Sequence, residues 1–166
     1  MGCLGVHFAL DDDQVAKLKA LAEDDRVEFF QEGLEEDYFA GDESRYQESD
    51  KSWDAMHRAL TDGDLTWENG SYPLNQVILG GEPLYYEDDY ILSLKSPQQV
   101  RDIAAAVASV GRERLRAGYD RIAPDAYGFP KSDEDFDYTW THFAAVAAFY
   151  QRAAAAGRWV LFTASQ

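Results

Sequence analysis

Trp159-Val160-Leu161-Phe162-Thr163-Ala164 is apolar at nearly every position, without the in-and-out alternation of a strand that faces water on one side. Such a run reads as a strand buried on both faces, and therefore as one inside a sheet rather than at its edge. Just before it, Phe136, Trp140, Phe143, Ala147, Tyr150 and Ala154 recur at helical spacing, with Val146 and Phe149 widening the apolar arc. Residues 136–156 are thus predicted to form the longest helix, closed by Gly157 in a left-handed cap. At the amino end, Leu4, Val6, Phe8 and Leu10 alternate with Cys3, Gly5, His7 and Ala9. That period of two predicts a second strand, and the two terminal strands are expected to be neighbours.

Between these strands, Asp11 is placed to cap a short helix over 12–24, and the acid-rich stretch 27–47 is read as loops and broken helical turns. A helix over 51–61 carries Trp53, Met56, His57 and Leu60 on one stripe. Val77 to Leu79 and Tyr90 to Leu94 read as short strands between turns. Ser96-Pro97 opens a helix that Gly118 is expected to stop, with Arg112, Arg114, Arg116 and Arg121 near its carboxyl end, where the helix dipole favours cations. The order lacks the regular strand–helix alternation of a doubly wound fold. The fold class is therefore α+β: a single domain over residues 1–166, with a small mixed or antiparallel sheet that includes both terminal strands, packed by roughly three to five helices.

The 166 residues are 46% hydrophobic and 14% aromatic, enough to bury a core, and carry a net charge of −16. The excess is lopsided, because residues 1–50 hold 15 acidic and 4 basic side chains. Such a field repels phosphates and anionic lipid heads, which argues against nucleic acid and membrane surfaces and leaves two readings, plain solubility and complementarity to a basic protein partner. The longest apolar run, Phe143 to Tyr150, is far short of the roughly 18 residues of a membrane span. Cys3 is the lone cysteine, so an internal disulfide is excluded, and a reducing cytoplasm is the expected location.

Chemistry-bearing motifs are sparse. No Gly-rich phosphate loop, serine elbow or paired-histidine zinc helix occurs, and no cofactor or metal is expected. Asp133, Asp135 and Asp137 repeat as in a calcium loop, but Tyr138 stands where the turn glycine belongs and Ala144 where a bidentate glutamate belongs. Of the histidines, His7 is too far from Cys3 along a strand, roughly 13 Å, to form a dyad, and His142 is read as either bordering a pocket or covering the edge of the core. His57 shares its stripe with Trp53: it is either a neutral core histidine or a general base oriented by Asp54 at a cleft edged by Trp53 and Trp67. Tyr85, Tyr86 and Tyr90, with Trp67, fall outside the helical stripes, where aromatic rings serve as binding anchors or pack on the sheet.

Two functional readings follow. The first is a non-enzymatic interaction module for a basic protein, such as a secreted toxin that it neutralises, binding through Trp53, Trp67, Tyr85, Tyr86 and Tyr90. The alternative is a small hydrolase with His57 and Asp54 as its catalytic pair. Met1-Gly2-Cys3-Leu4-Gly5, Lys51-Ser52-Trp53-Asp54 through His57 to Leu60-Thr61, Pro73-Leu74 leading to Val77-Ile78-Leu79-Gly80, and the terminal helix–strand pair together resemble the YfbM-like family of small bacterial proteins of unknown function. The resemblance implies a single α+β domain of this size and carries over no catalytic or binding residue.

Overall fold

The computed structural model describes residues 3–87 and 89–165, so Met1 and Gly2 of the amino-terminal family segment, Asp88 and Gln166 lie outside it. In chain order the elements are β1 (Leu4–Leu10), α1 (Asp12–Ala20), α2 (Glu23–Phe29), α3 (Glu36–Ala40), β2 (Tyr46–Asp50), α4 (Trp53–Leu60), β3 (Glu82–Glu87), β4 (Tyr90–Lys95), α5 (Pro97–Val107), α6 (Arg112–Asp120), α7 (Pro124–Tyr127), α8 (Asp133–Ala155) and β5 (Trp159–Ser165). The strands form one five-stranded sheet in the order β2-β1-β5-β4-β3, with every neighbouring pair antiparallel. β5 is its centre. It pairs with β1 from Leu4–Ser165 to Leu10–Trp159, so the terminal strands are neighbours as expected.

Both faces of the sheet are covered, which is why β5 tolerates no polar alternation. Phe162 and Ala164 of β5, with Ala9 of β1, pack under α4, α5 and α8, whereas Leu161, with Phe8 and Leu10, packs under α1 and the helical segment that follows it. The period of two in β1 thus sorts its side chains between two cores. α8 begins at Ser132, whose hydroxyl accepts the Asp135 amide, and ends before Gly157 at φ +67°. Asp11 and Ser96 each close a capping box on α1 and α5. Among the described residues no helix is long and apolar enough to cross a membrane.

Several expectations are corrected. Residues 27–47 are more regular than expected: α2 runs through a π-helical turn, Phe30–Glu35, into α3, and strand β2 follows. The helix expected over 51–61 starts later, as α4 begins after Ser52 and β2 runs up to Asp50. The helix expected from Pro97 to Gly118 is two helices, so Arg112 opens α6 instead of closing a helix. Ion pairs replace the dipole there: Arg112 binds Asp137, and Arg116 binds Asp120 and Asp133. Gly118 is a contact and not a stop, because a Cβ at that position would stand 2.0 Å from the Ala59 carbonyl oxygen of α4.

Val77-Ile78-Leu79 is not a strand. It is a buried, irregular segment after the short turn Leu74–Gln76, and polar side chains satisfy its carbonyls in place of a ladder. His7 Nε2 and the Tyr150 hydroxyl donate to Val77 O at 2.8 and 2.7 Å, Lys95 Nζ to Ile78 O, and the Ser93 hydroxyl to Leu79 O at 2.7 Å. An apolar run looks the same in both settings, since only the partners of the backbone differ.

Candidate functional site

The residues singled out from the sequence do not converge. His57 is 0% exposed. Its Nε2 donates to Thr66 O at 2.8 Å, with Asn69 Oδ1 at 3.2 Å, and its Nδ1 has no partner among the described residues. Burial lowers its pKa, against the raising effect of those hydrogen bonds, so the ring is a neutral structural donor. Asp54 turns to Arg58 instead, at 2.6 Å. The hydrolase pairing of His57 with Asp54 is thereby corrected, because a sealed ring cannot reach a substrate proton. Trp53 is in the core, donating to Cys3 O at 2.8 Å. Trp67 stacks edge-on against Tyr86 with ring centroids 5.1 Å apart, and the Tyr85 hydroxyl faces Asp89. Tyr90 lies elsewhere, and it leads to the site.

A cleft of about 470 Å³ opens at the end of the sheet where β1 begins and β2 and β5 finish. Three local irregularities shape it. The π-helical turn carries Gln31 and Glu35 to one wall; such turns widen a helix and recur at functional sites. A β-bulge forms where Gly5 pairs with Asp50 and Val6 with Glu48, leaving Ser49 without a partner residue. Asp50 itself sits at φ +49°, in the left-handed region that a side chain rarely adopts. The bulge needs Gly5, since a Cβ there would meet the Trp53 ring at 2.7 Å and Ser49 Oγ at 2.8 Å.

The chemistry of the cleft is acidic with apolar walls. Glu35, Glu48 and Asp50 face it, and its described lining contains no lysine or arginine. Burial raises the Glu35 carboxyl above its ordinary value. The Tyr90 phenol is pushed up to about 12 by burial first and then by the Glu35 charge, against hydrogen bonds to Thr163 and Gln31, so it remains a neutral donor. Leu4 and Phe39, 48% and 42% exposed, stand among the lining residues as apolar anchors. His142 also lines the cleft, which fits the pocket-bordering one of its two readings. Among the described residues no group of three or more His, Cys, Asp or Glu is placed to hold a metal ion.

Sequence reasoning missed Glu35, Phe39, Glu48 and Asp50. The available signal was the density of acids interleaved with aromatics between residues 27 and 50, where no periodicity assigned them to a face.

A family model described as "Domain of unknown function (DUF1877)" matches residues 1–163. Among solved structures, the crystal structure of a protein of unknown function, YfbM from Escherichia coli, superposes with a TM-score of 0.71 at 24% sequence identity, covering 97% of this chain and 99% of that one. Identity at that level speaks to the fold. No curated protein matches the chain.

Proposed function

We propose, for a chain that belongs to the DUF1877 family and so inherits a fold without an assigned activity, that it is a non-enzymatic interaction domain which receives a basic segment of a protein partner in its acidic cleft. One observation carries this reading: three carboxylates line a concave, partly apolar surface whose described lining offers no cation. A lysine or arginine side chain suits such a surface, because its alkyl stem packs on Leu4, Val6 and Phe39 while its head group meets the carboxylates. The volume falls in the range of sites that enclose more than one side chain, so the occupant is a short segment. The wider surface acts in the same sense, since the −16 net charge steers a cationic partner inward. A basic toxin held inactive in the cytoplasm is a partner of this chemistry.

The test is titration of a fluorescent peptide rich in lysine and arginine into the full chain, at low salt and at roughly 0.5 M salt. Binding is expected to weaken at least about tenfold with salt, and likewise in a Glu48→Gln, Asp50→Asn double variant. Because Glu35 must be ionised to attract a cation, affinity is also expected to rise with pH through the raised pKa of that carboxyl. Equal binding of an acidic peptide, or indifference to salt and to both substitutions, would sink the proposal.

A further inference from the structure

A second recess lies one turn along α8 from the cleft: Tyr138, which lines the recess, stacks edge-on against His142, which lines the cleft, with ring centroids 4.8 Å apart. It measures about 140 Å³, and its walls are Tyr127, Phe129 and Tyr138, with Asp135 and Lys51 completing the lining. We propose that this recess is an aromatic cage for a compact organic cation, a quaternary or fully methylated ammonium head group.

Three observations support it. The first is the wall chemistry. Ring faces attract a cation through their quadrupole, and the centroids of Tyr127 and Phe129 stand 5.4 Å apart at a 62° interplanar angle, forming a corner rather than a stack. Asp135 adds a formal negative charge, which with its neighbours Asp133 and Glu134 opposes the positive end of the α8 dipole.

The second observation is that the walls are held in place. The Tyr127 hydroxyl donates to Asp135 Oδ2 at 2.8 Å, and the Tyr119 hydroxyl donates to the same oxygen at 2.7 Å. The Tyr138 hydroxyl accepts the Lys51 amide at 3.2 Å. Rings tethered by their hydroxyls lose little freedom when a guest enters.

The third is that these tethers decide which cation fits. With both hydroxyls and one Asp135 oxygen engaged, an ammonium bearing several N–H groups would give up water for few acceptors, whereas a methylated cation has no donor to satisfy. A cavity of roughly 150 Å³ holds a guest of benzene size, which is a head group and not a whole metabolite. Lys51 is the one described basic residue of the lining, and its exposed side chain at the recess repels a second cation.

The experiment is a calorimetric and NMR titration of the full chain with choline chloride, set against its uncharged carbon isostere dimethylbutanol at matched ionic strength. Choline is expected to bind about five- to thirty-fold more tightly than the isostere, with resonance changes centred on Tyr127, Phe129 and Tyr138. Phe129→Ala is expected to weaken choline at least about five-fold, and it is a safe variant because that ring is 44% exposed. Tyr138→Phe keeps the ring but loses its tether and is expected to weaken choline less than Phe129→Ala does, while Lys51→Gln is expected to strengthen it. A peptide carrying trimethyllysine, run alongside, separates a free metabolite from a modified protein as the source of the head group, and tighter binding of either supports the cage. Equal affinity for choline and dimethylbutanol, resonance changes elsewhere in the chain, or an unaltered affinity in Phe129→Ala would overturn it.

Discussion

Replacing His7 with glutamine is expected to flatten the loss of stability in acid by about 3 kcal/mol between about pH 7 and about pH 4. His7 is fully buried, ringed by Phe149, Tyr150 and Phe162 at centroid distances of 6.1, 5.5 and 4.9 Å. Burial, then the nearby Lys95, lower its pKa from 6.5 to about 3, against the raising effect of the hydrogen bond to Val77 O. The folded ring therefore stays neutral down to about pH 3, while the unfolded ring takes up a proton near 6.5. Between those values the unfolded state holds the extra proton, so acidification favours unfolding; above 6.5 the effect vanishes. At about 1.4 kcal/mol per pH unit, the fall from 6.5 to pH 4 gives the figure stated. Glutamine keeps an amide donor for Val77 O but does not titrate. The other acid-sensitive groups, including His57 and Glu35, are common to both proteins and cancel in the difference. Urea unfolding followed by tryptophan fluorescence at a series of pH values measures it. Parallel stability–pH curves for the two proteins would refute the reasoning, as would an NMR midpoint for the His7 ring above about pH 5.5 in the native chain.

Three further substitutions probe other parts of the molecule. Gly118→Ala forces α4 and α6 apart, since its methyl would sit 2.0 Å from the Ala59 carbonyl oxygen; a loss of about 2–3 kcal/mol is expected, seen as a fall in thermal midpoint of at least about 5 °C. Tyr150→Phe removes one of two donors to Val77 O and leaves His7 in place, so urea unfolding should register only about 1 kcal/mol, and a loss above about 3 kcal/mol would contradict shared satisfaction of that carbonyl. Asp50→Gly relieves the left-handed backbone at φ +49°; the thermal midpoint is expected to hold or rise by the equivalent of about 1 kcal/mol while affinity for the basic peptide falls, a split that a purely structural Asp50 would not produce.

The parts of this fold legible in sequence are those where local pattern and tertiary role agree. β1 alternates because its two faces enter two different cores, β5 does not alternate because both of its faces are buried, and Ser96-Pro97 caps a helix by chemistry confined to four residues. Where tertiary partners supply what local pattern lacks, the reading fails. Val77 to Leu79 needs His7, Ser93, Lys95 and Tyr150 to satisfy its backbone, and none is adjacent in sequence. β2, spelled Tyr-Gln-Glu-Ser-Asp, has no apolar face and pairs because β1 offers it an edge. The cleft was hidden for the same reason: Glu35, the Glu48–Asp50 pair and His142 belong to three different elements, and the bulge, π-turn and left-handed aspartate that join them have no signature in composition. His57 belongs with the legible part, since its place on an apolar helical stripe already allowed a neutral core histidine, and it serves as a core donor to Thr66 O.

The central place of β5 also governs how the molecule is made. It is the last strand in chain order, yet it supplies the hydrogen-bonding partner of both β1 and β4. During synthesis on the ribosome, the β1–β2 pair and the β3–β4 hairpin can each form early, but each then presents a bare, sticky edge to the crowded cell until residues 159–165 emerge and zip the two halves together. Closure of the five-stranded sheet therefore waits on β5, whichever half forms first.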